Sequence, residues 1–280
     1  MLTAPIINYL SLASIPLTNS PSRLYLFTGK GGVGKTTLAL GLTKHLCSLG
    51  LSAKYAHLHG QPHPLQNKLN IPYYPLDLNQ FLENYLANKL NSKIIASWIT
   101  KTPFIDALVS MIPSLGYLIL LGELFKVLKE NEDLILILDS PATGHALTML
   151  EAPANFKKIL KTGIIADDID MINRFMQDEK QMKVFICCLA NQMAIQEGLE
   201  MKEKLSDLSS VHTEMIINNS LVATPLKKKD LPDFLQKKWT WESDIINKSR
   251  DQIKTIIPHS SFLKPNEMLM DLMPHFEALV

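Results

Sequence analysis

The chain has 280 residues, of which 46% are hydrophobic and 20% are charged, and its formal net charge at pH 7 is +1. This length and composition supply enough apolar surface for a full core and fit one large α/β domain better than two. A net charge so close to zero gives no electrostatic footprint for nucleic acid or for an anionic membrane. We therefore expect no nucleic-acid partner.

The N-terminal stretch, residues 1–20, mixes apolar and polar residues and has no Lys or Arg ahead of Ile6 and Ile7. It therefore fits a secretory signal poorly, because such a signal begins with a positively charged region. We expect residues 1–21 to form a flexible tail and residues 22–280 to form a single domain. The strongly apolar, uncharged run at residues 107–122 is too short to span a bilayer, so we expect no transmembrane segment.

The chain has three cysteines, Cys47, Cys187 and Cys188. Neighbouring residues on a strand point to opposite faces, so the adjacent pair cannot supply a zinc knuckle or a three-thiol site by itself. We interpret all three as reduced core thiols, which predicts a cytoplasmic protein.

A short apolar run, residues 24–28, precedes the string GKGGVGKTT at residues 29–37, and a leucine-rich helical pattern follows. Strand, glycine-rich loop and helix in this order are the context of a phosphate-binding P-loop, in which glycines let backbone N–H groups curl around an anion. The helix N-terminus would direct its positive dipole end at the β-phosphate. The predicted nucleotide-binding residues of this loop are Gly29, Lys30, Gly31, Gly32, Val33, Gly34, Lys35, Thr36 and Thr37.

Two oxygen ligands for a metal ion follow from the same pattern. In a P-loop, Lys35 reaches the β- and γ-phosphates of ATP and Thr36 holds Mg²⁺ through its hydroxyl. Residues 134–138 form a continuous apolar run, typical of a strand buried on both faces, and Asp139 ends it. We predict Asp139 as the Walker B carboxylate, so the expected cofactors are ATP and Mg²⁺.

Lys30 gives the loop a second lysine. The string GKGGVGKTT resembles the deviant Walker A loop of the dimeric ATPases that include septum-positioning, plasmid-partition, nitrogenase-iron-protein and arsenite-pump families. The resemblance implies that Lys30 reaches across a dimer interface to the partner's phosphates, and so acts in catalysis beside Lys35 and Asp139. It also implies a homodimer, or a heterodimer with a related ATPase. Together the elements predict an α/β fold with a doubly wound, mostly parallel sheet, as in P-loop NTPases.

The residues after the predicted Walker B strand extend the resemblance. The string from Asp139 to His145, DSPATGH, is similar to the Asp-x-x-Pro/Ala-Thr-Gly-His signature of arsenite-pump and tail-anchored-protein-targeting ATPases. The resemblance implies phosphate-sensing and partner-sensing roles for Asp139, Thr143, Gly144 and His145. It spans residues 24 to about 262 and is specific at these two motifs.

Further along the chain, the resemblance implies a base-binding site. Residues 212–218 read as a strand, and the family places an Asn that hydrogen-bonds adenine at the position of Asn218. An amide offers both a donor and an acceptor, which suits the edge of adenine. Pro258, after the last predicted strand, lies near the base in relatives.

The chain departs from the family at its water-positioning switch. Relatives carry Asp-Pro-Ala-His there, and matching His63 and Leu65 to that motif puts Gly60 at the Asp position. No carboxylate occurs anywhere in residues 51–76. Asn191 stands where relatives commonly have Glu. We therefore predict ATP binding with slow or partner-dependent hydrolysis.

Two alternatives stay open, an ordinary hydrolysing ATPase of the arsenite-pump type and a partition- or septum-positioning-type ATPase. His57, His59 and His63 could be metal ligands or exposed loop residues. Arsenite efflux needs convergent thiols, which the chain does not supply. Tail-anchored targeting uses a helical subdomain after the Thr-Gly-His motif, and only residues 151–181 separate that motif from the next predicted strand. The client remains unidentified.

Overall fold

The computed structural model describes residues 20–58, 62–140, 143–209 and 211–280. Most of the predicted N-terminal tail, together with His59 and Gly60, lies outside these residues.

The described strands form one sheet in which all six are parallel, in the order β2-β3-β1-β4-β5-β6. They are β1 (Leu24–Gly29), β2 (Ser52–His57), β3 (Leu134–Asp139), β4 (Met182–Leu189), β5 (Thr213–Ser220) and β6 (Ile253–Pro258). The chain leaves β1 toward one side of the sheet for β2 and β3, then crosses to the other side for β4. Ligands bind at such a reversal, outside the carboxyl ends of the strands.

Helices cover both faces of the sheet, which gives the α/β P-loop NTPase fold predicted from the sequence. They are α1 (Lys35–Ser48), α2 (Pro64–Lys68), α3 (Leu78–Leu90), α4 (Lys93–Thr100), α5 (Pro103–Met111), α6 (Pro113–Glu130), α7 (Thr143–Ile159), α8 (Ile164–Gln177), α9 (Gln192–Ser209), α10 (Asp233–Lys248) and α11 (Pro265–Leu272).

The core divides into two clusters, one on each face of the sheet, because successive side chains of a strand point to opposite faces. Along β1, Leu24 and Leu26 belong to one cluster, whereas Tyr25 and Phe27 belong to the other. The adjacent cysteines follow the same rule, with Cys188 in the first cluster and Cys187 in the second. Burial raises the pKa of Cys188 to about 12. Cys187 and Cys188 are thus buried core thiols, as the sequence predicted, whereas Cys47 is only partly buried.

The segment between β2 and β3 differs from the expected pattern. Apolar residues at 3–4 spacing predict helix over residues 77–128 with an interruption at Pro113, and the structure has the four helices α3 to α6. Pro113 does begin α6, where a missing N–H costs nothing. An earlier break arises because Asn91 adopts φ 50° after α3 and Ser92 then caps α4. The apolar face of α6, including Leu118 and Leu121, is buried, whereas Ile94 and Trp98 of α4 are exposed.

The sequence of residues 235–253 reads as a helix that covers the sheet, and in the structure this helix is shorter and begins earlier. It is α10, which begins at Asp233 after Pro232 and ends at Lys248. A short 3₁₀ turn, Arg250–Gln252, then leads into β6. Among the described helices, none combines the length and the apolar character that crossing a bilayer requires.

Candidate functional site

The loop between β1 and α1 has a backbone that only glycine suits at two points. Gly29 has φ 139°, and a Cβ there would lie 2.3 Å from the Cys187 carbonyl oxygen. Gly34 has φ 90°, and its Cβ would lie 2.3 Å from Nδ2 of Asn218. The loop backbone thus passes close to the β4 backbone at Gly29 and close to the Asn218 side chain at Gly34. Neither position has room for a Cβ, so both require glycine.

The first turn of α1 is suited to an anion. No side chain caps this helix, and its first turn contains no acidic residue. The first N–H groups of a helix have no partner within the helix and carry its positive dipole end. The Nζ of Lys35 lies over the loop and donates to the Lys30 carbonyl oxygen at 3.0 Å. The structure therefore brings a cation and free amide donors to the same opening.

The predicted metal ligands meet at this opening. The hydroxyl of Thr36 donates to Oδ2 of Asp139 at 2.6 Å, and Asp139 is only 1% exposed. The other carboxylate oxygen, Oδ1, is buried and has no hydrogen-bond partner among the described residues. A buried carboxylate oxygen without a donor is costly unless a cation satisfies it. Carboxylate and hydroxyl oxygens are the donors that Mg²⁺ prefers, so this pair fits Mg²⁺.

A third residue at this site was missed in the sequence. The hydroxyl of Tyr55, on β2, donates to Oδ2 of Asp139 at 2.9 Å and is fully buried. Burial, together with the charge of Asp139, raises the pKa of Tyr55, so the hydroxyl remains a donor. A tyrosine two residues before a strand end gives no sign of this role by itself. The contact requires β2 to lie beside β3, where His57 and Asp139 face each other in register.

The predicted base-binding residues lie at the carboxyl ends of β5 and β6. Asn218 is 7% exposed, and its Nδ2 donates to the Val33 carbonyl oxygen at 2.9 Å. A carbonyl oxygen can only accept, so the amide nitrogen must face the loop and Oδ1 must face away from it. Pro258 ends β6 and pairs in register with Ser220 of β5. The two predicted residues therefore lie at the ends of neighbouring strands.

The side chain of Lys30 points away from its own loop and contacts helix α9. Its Nζ lies 2.7 Å from Oε1 of Glu197, and both side chains are about half exposed. Next to it, Gly31 and Gly32 are open to solvent, since a Cβ at either would meet nothing within 4 Å. The loop thus presents an open side at the position of Lys30.

The family's second motif begins a helix. Thr143 is the first residue of α7, while Pro141 and Ala142 lie outside the described residues. Nδ1 of His145 lies 2.9 Å from the Tyr117 hydroxyl of α6. His145 thereby connects the start of α7, just after β3, to the helices between β2 and β3.

Two residues singled out in the sequence are helix caps. Oδ1 of Asn191 accepts from the Ala194 amide at 2.9 Å at the start of α9. Nδ1 of His63 accepts from the Leu65 amide at 3.2 Å at the start of α2. This bond occupies Nδ1 of His63, so of its ring nitrogens only Nε2 could serve as a metal ligand.

Comparisons with known proteins agree with this geometry. "ATPase BagA" of Mycobacterium tuberculosis is 22% identical over 77% of this chain and 70% of its own length. "Putative arsenical pump-driving ATPase 1" of Aquifex aeolicus is 27% identical over 50% of this chain and 41% of its own length. The "Arsenical pump-driving ATPase" of Escherichia coli is 25% identical over 71% of this chain and 35% of its own length.

No protein-family profile matches the chain. The chain is thus a distant relative of ATPases, among them arsenical pump-driving ATPases. Its alignments cover less than half the length of these two arsenical-pump relatives.

Proposed function

We propose that the chain binds ATP with Mg²⁺ in the β1–α1 loop, forms a nucleotide-dependent dimer with a copy of itself or with a related ATPase, and hydrolyses ATP slowly or only with that partner. The observation that carries the proposal is the contact of Thr36 with Asp139 beside the uncapped N-terminus of α1. It places two oxygen ligands, free amide donors and Lys35 at one opening.

Each residue has a distinct task in this proposal. The first-turn amides of α1 and the Lys35 ammonium bind the phosphates, where charge-assisted hydrogen bonds are the strong ones. Thr36 and Asp139 would hold Mg²⁺, which neutralises charge on the transferred phosphoryl group when it is bound. Tyr55 orients the Asp139 carboxylate, because its hydroxyl donates to Oδ2 of that carboxylate.

Base preference follows from the orientation of Asn218. Because Nδ2 is committed to Val33, Oδ1 is the atom left to accept a hydrogen bond. The exocyclic amino group of adenine is a donor, whereas guanine and hypoxanthine carry an acceptor oxygen at the same ring position. The proposed nucleotide is therefore ATP rather than GTP.

Ordinary hydrolysis by the chain alone is the second candidate, because the relatives it matches are named as ATPases.

The first test of the proposal is whether the chain binds the nucleotide. We expect calorimetry to show ATP binding that tightens with Mg²⁺, and Lys35→Ala to weaken it by at least about tenfold through loss of the cation nearest the phosphates. The matched control is Lys44→Ala on the same helix, whose amine contacts Asn266 instead. Equal affinity in wild type and Lys35→Ala would refute the assignment of the loop.

A further inference from the structure

Helix α10 carries a buried glutamate that the proposed function does not use. Glu242 is 4% exposed, although it belongs to a helix whose other acidic residues face solvent or lie partly exposed. A carboxylate is almost never buried unless hydrogen bonds or an opposite charge compensate for the lost water. The position of Glu242 therefore requires specific partners.

Those partners lie at the end of β5 and in the turn that follows it. Oε2 of Glu242 accepts from the Ser220 hydroxyl at 3.0 Å, from the Leu221 amide at 2.7 Å and from the Val222 amide at 3.4 Å. The other oxygen lies 3.6 Å from Nζ of Lys238, which is about half exposed. One carboxylate oxygen thus holds three consecutive residues, and hydrogen bonds to an ionised acceptor are the stronger kind.

The end of β5 is also held by His259, the residue that follows β6. Asn219 has φ 60°, and its Oδ1 lies 2.6 Å from Nδ1 of His259. The His259 amide donates to the Ser220 carbonyl oxygen at 2.9 Å. Asn219 and Ser220 directly follow Asn218, so the end of β5 that carries the Asn218 amide is held both by Glu242 of α10 and by His259.

We propose that Glu242 is a positioning residue for recognition of the nucleotide base by Asn218. By holding the turn at Ser220, Leu221 and Val222, its carboxylate keeps the end of β5 where Oδ1 of Asn218 can accept from the exocyclic amino group of adenine. This inference rests on the proposed binding of ATP. It assigns α10, which supplies no residue of the P-loop, a role in choosing the base.

The test separates contacts with the base from contacts with the phosphates. Affinities are measured for ATP, for inosine triphosphate, which has an oxygen in place of the amino group, and for inorganic tripolyphosphate. In Glu242→Ala the preference for ATP over inosine triphosphate should fall about fivefold, the loss of roughly one hydrogen bond to the base. Tripolyphosphate affinity should stay at the wild-type value, because the β1–α1 loop is untouched.

Milder variants guard against a loss of folding. Glu242→Gln keeps an accepting oxygen without the charge and should retain an intermediate preference for ATP. Ser220→Ala removes one donor without stranding a backbone amide and should lower the preference by about twofold. Lys238→Ala, on the same helix, removes only the ion pair and should leave the preference unchanged.

The outcomes distinguish this inference from the function it rests on. A reduced thermal midpoint in Glu242→Gln and Ser220→Ala with a wild-type preference for ATP would show a purely structural role and overturn the inference alone. Wild-type protein that binds neither ATP nor tripolyphosphate would overturn the proposed function, and the inference with it.

Discussion

Asp139 is the residue on which the candidate site depends most, and its two oxygens have different surroundings. Oδ2 accepts from Thr36 and from Tyr55, whereas Oδ1 has no partner in the described part of the chain. Two donors on one oxygen fix the plane of the carboxylate, and the other oxygen remains available to a cation. Tyr55 is therefore expected to affect metal-dependent binding without touching the nucleotide.

The variant Tyr55→Phe tests this role. It removes one hydrogen bond to an ionised acceptor and leaves the ring packing in place, so MgATP affinity should fall about fivefold. Affinity for ATP in the presence of a chelator should not change. Isothermal titration with and without Mg²⁺ measures both quantities.

Tyr73→Phe is the matched control. Tyr73 lies against Tyr55 with ring centroids 6.2 Å apart, and its hydroxyl has no hydrogen-bond partner among the described residues. Loss of the Tyr73 hydroxyl should leave MgATP affinity at the wild-type value. If both variants lowered MgATP affinity equally, packing rather than the bond to Asp139 would explain the effect of Tyr55.

At the level of helices and strands, the sequence predicted what depends on local pattern. Strands buried on both faces appear in a sequence as continuous apolar runs. The apolar run that ends at residue 139 coincides with β3, and a second apolar run, at residues 183–189, matches β4 to within one residue. The P-loop was equally clear, since its glycines are needed for backbone conformation. The fold class followed from these elements.

Contacts that depend on which elements become neighbours could not be predicted. Tyr55 meets Asp139 only because β2 lies beside β3, and the sequence does not state the strand order. Glu242 looks like an ordinary surface residue of an amphipathic helix until the turn after β5 is placed against it. The resemblance identified Asn191 only as a position where relatives commonly have Glu. In the structure, its side chain caps α9.

At the scale of the whole molecule, the open side of the loop is where a second chain is expected. Lys30 lies there, paired with Glu197 of its own chain at 2.7 Å. Exposed ion pairs contribute only about 0–1 kcal/mol, so this contact can be exchanged at little cost for one with a partner's phosphates. The pair would hold Lys30 clear of its own nucleotide until the partner arrives.

The variant Lys30→Ala should therefore bind ATP normally and lose nucleotide-dependent dimerisation. Sedimentation velocity with a non-hydrolysable ATP analogue measures the association. Glu197→Gln is the control, because it frees Lys30 and should dimerise at least as well as wild type. The hypothesis fails if the wild-type chain stays monomeric with the analogue at every concentration and with every related ATPase, or if Lys30→Ala dimerises equally well.

The final prediction concerns the rate of hydrolysis. Oδ2 of Asp139 accepts from Thr36 and Tyr55 and its Oδ1 is proposed to hold Mg²⁺, while Asn191 is the cap of α9, so we expect neither position to supply a carboxylate that orients water. The matched switch position, Gly60, lies outside the described residues, and residues 51–76 contain no carboxylate. Positioning supplies much of the catalysis in phosphoryl transfer, so turnover by the isolated chain should be about 10²-fold or more slower than that of an Asp-containing relative.

Gly60→Asp is expected to restore part of this rate, whereas Gly60→Asn, which has the same shape but is not a base, should not. Phosphate release under saturating MgATP measures both, and Lys35→Ala provides the background of contaminating activity. His57 and His63 flank the switch and could act as the base instead. Wild-type turnover as fast as that of an Asp-containing relative, abolished by Lys35→Ala, would show that such a group orients the water and that the chain is an ordinary hydrolysing ATPase.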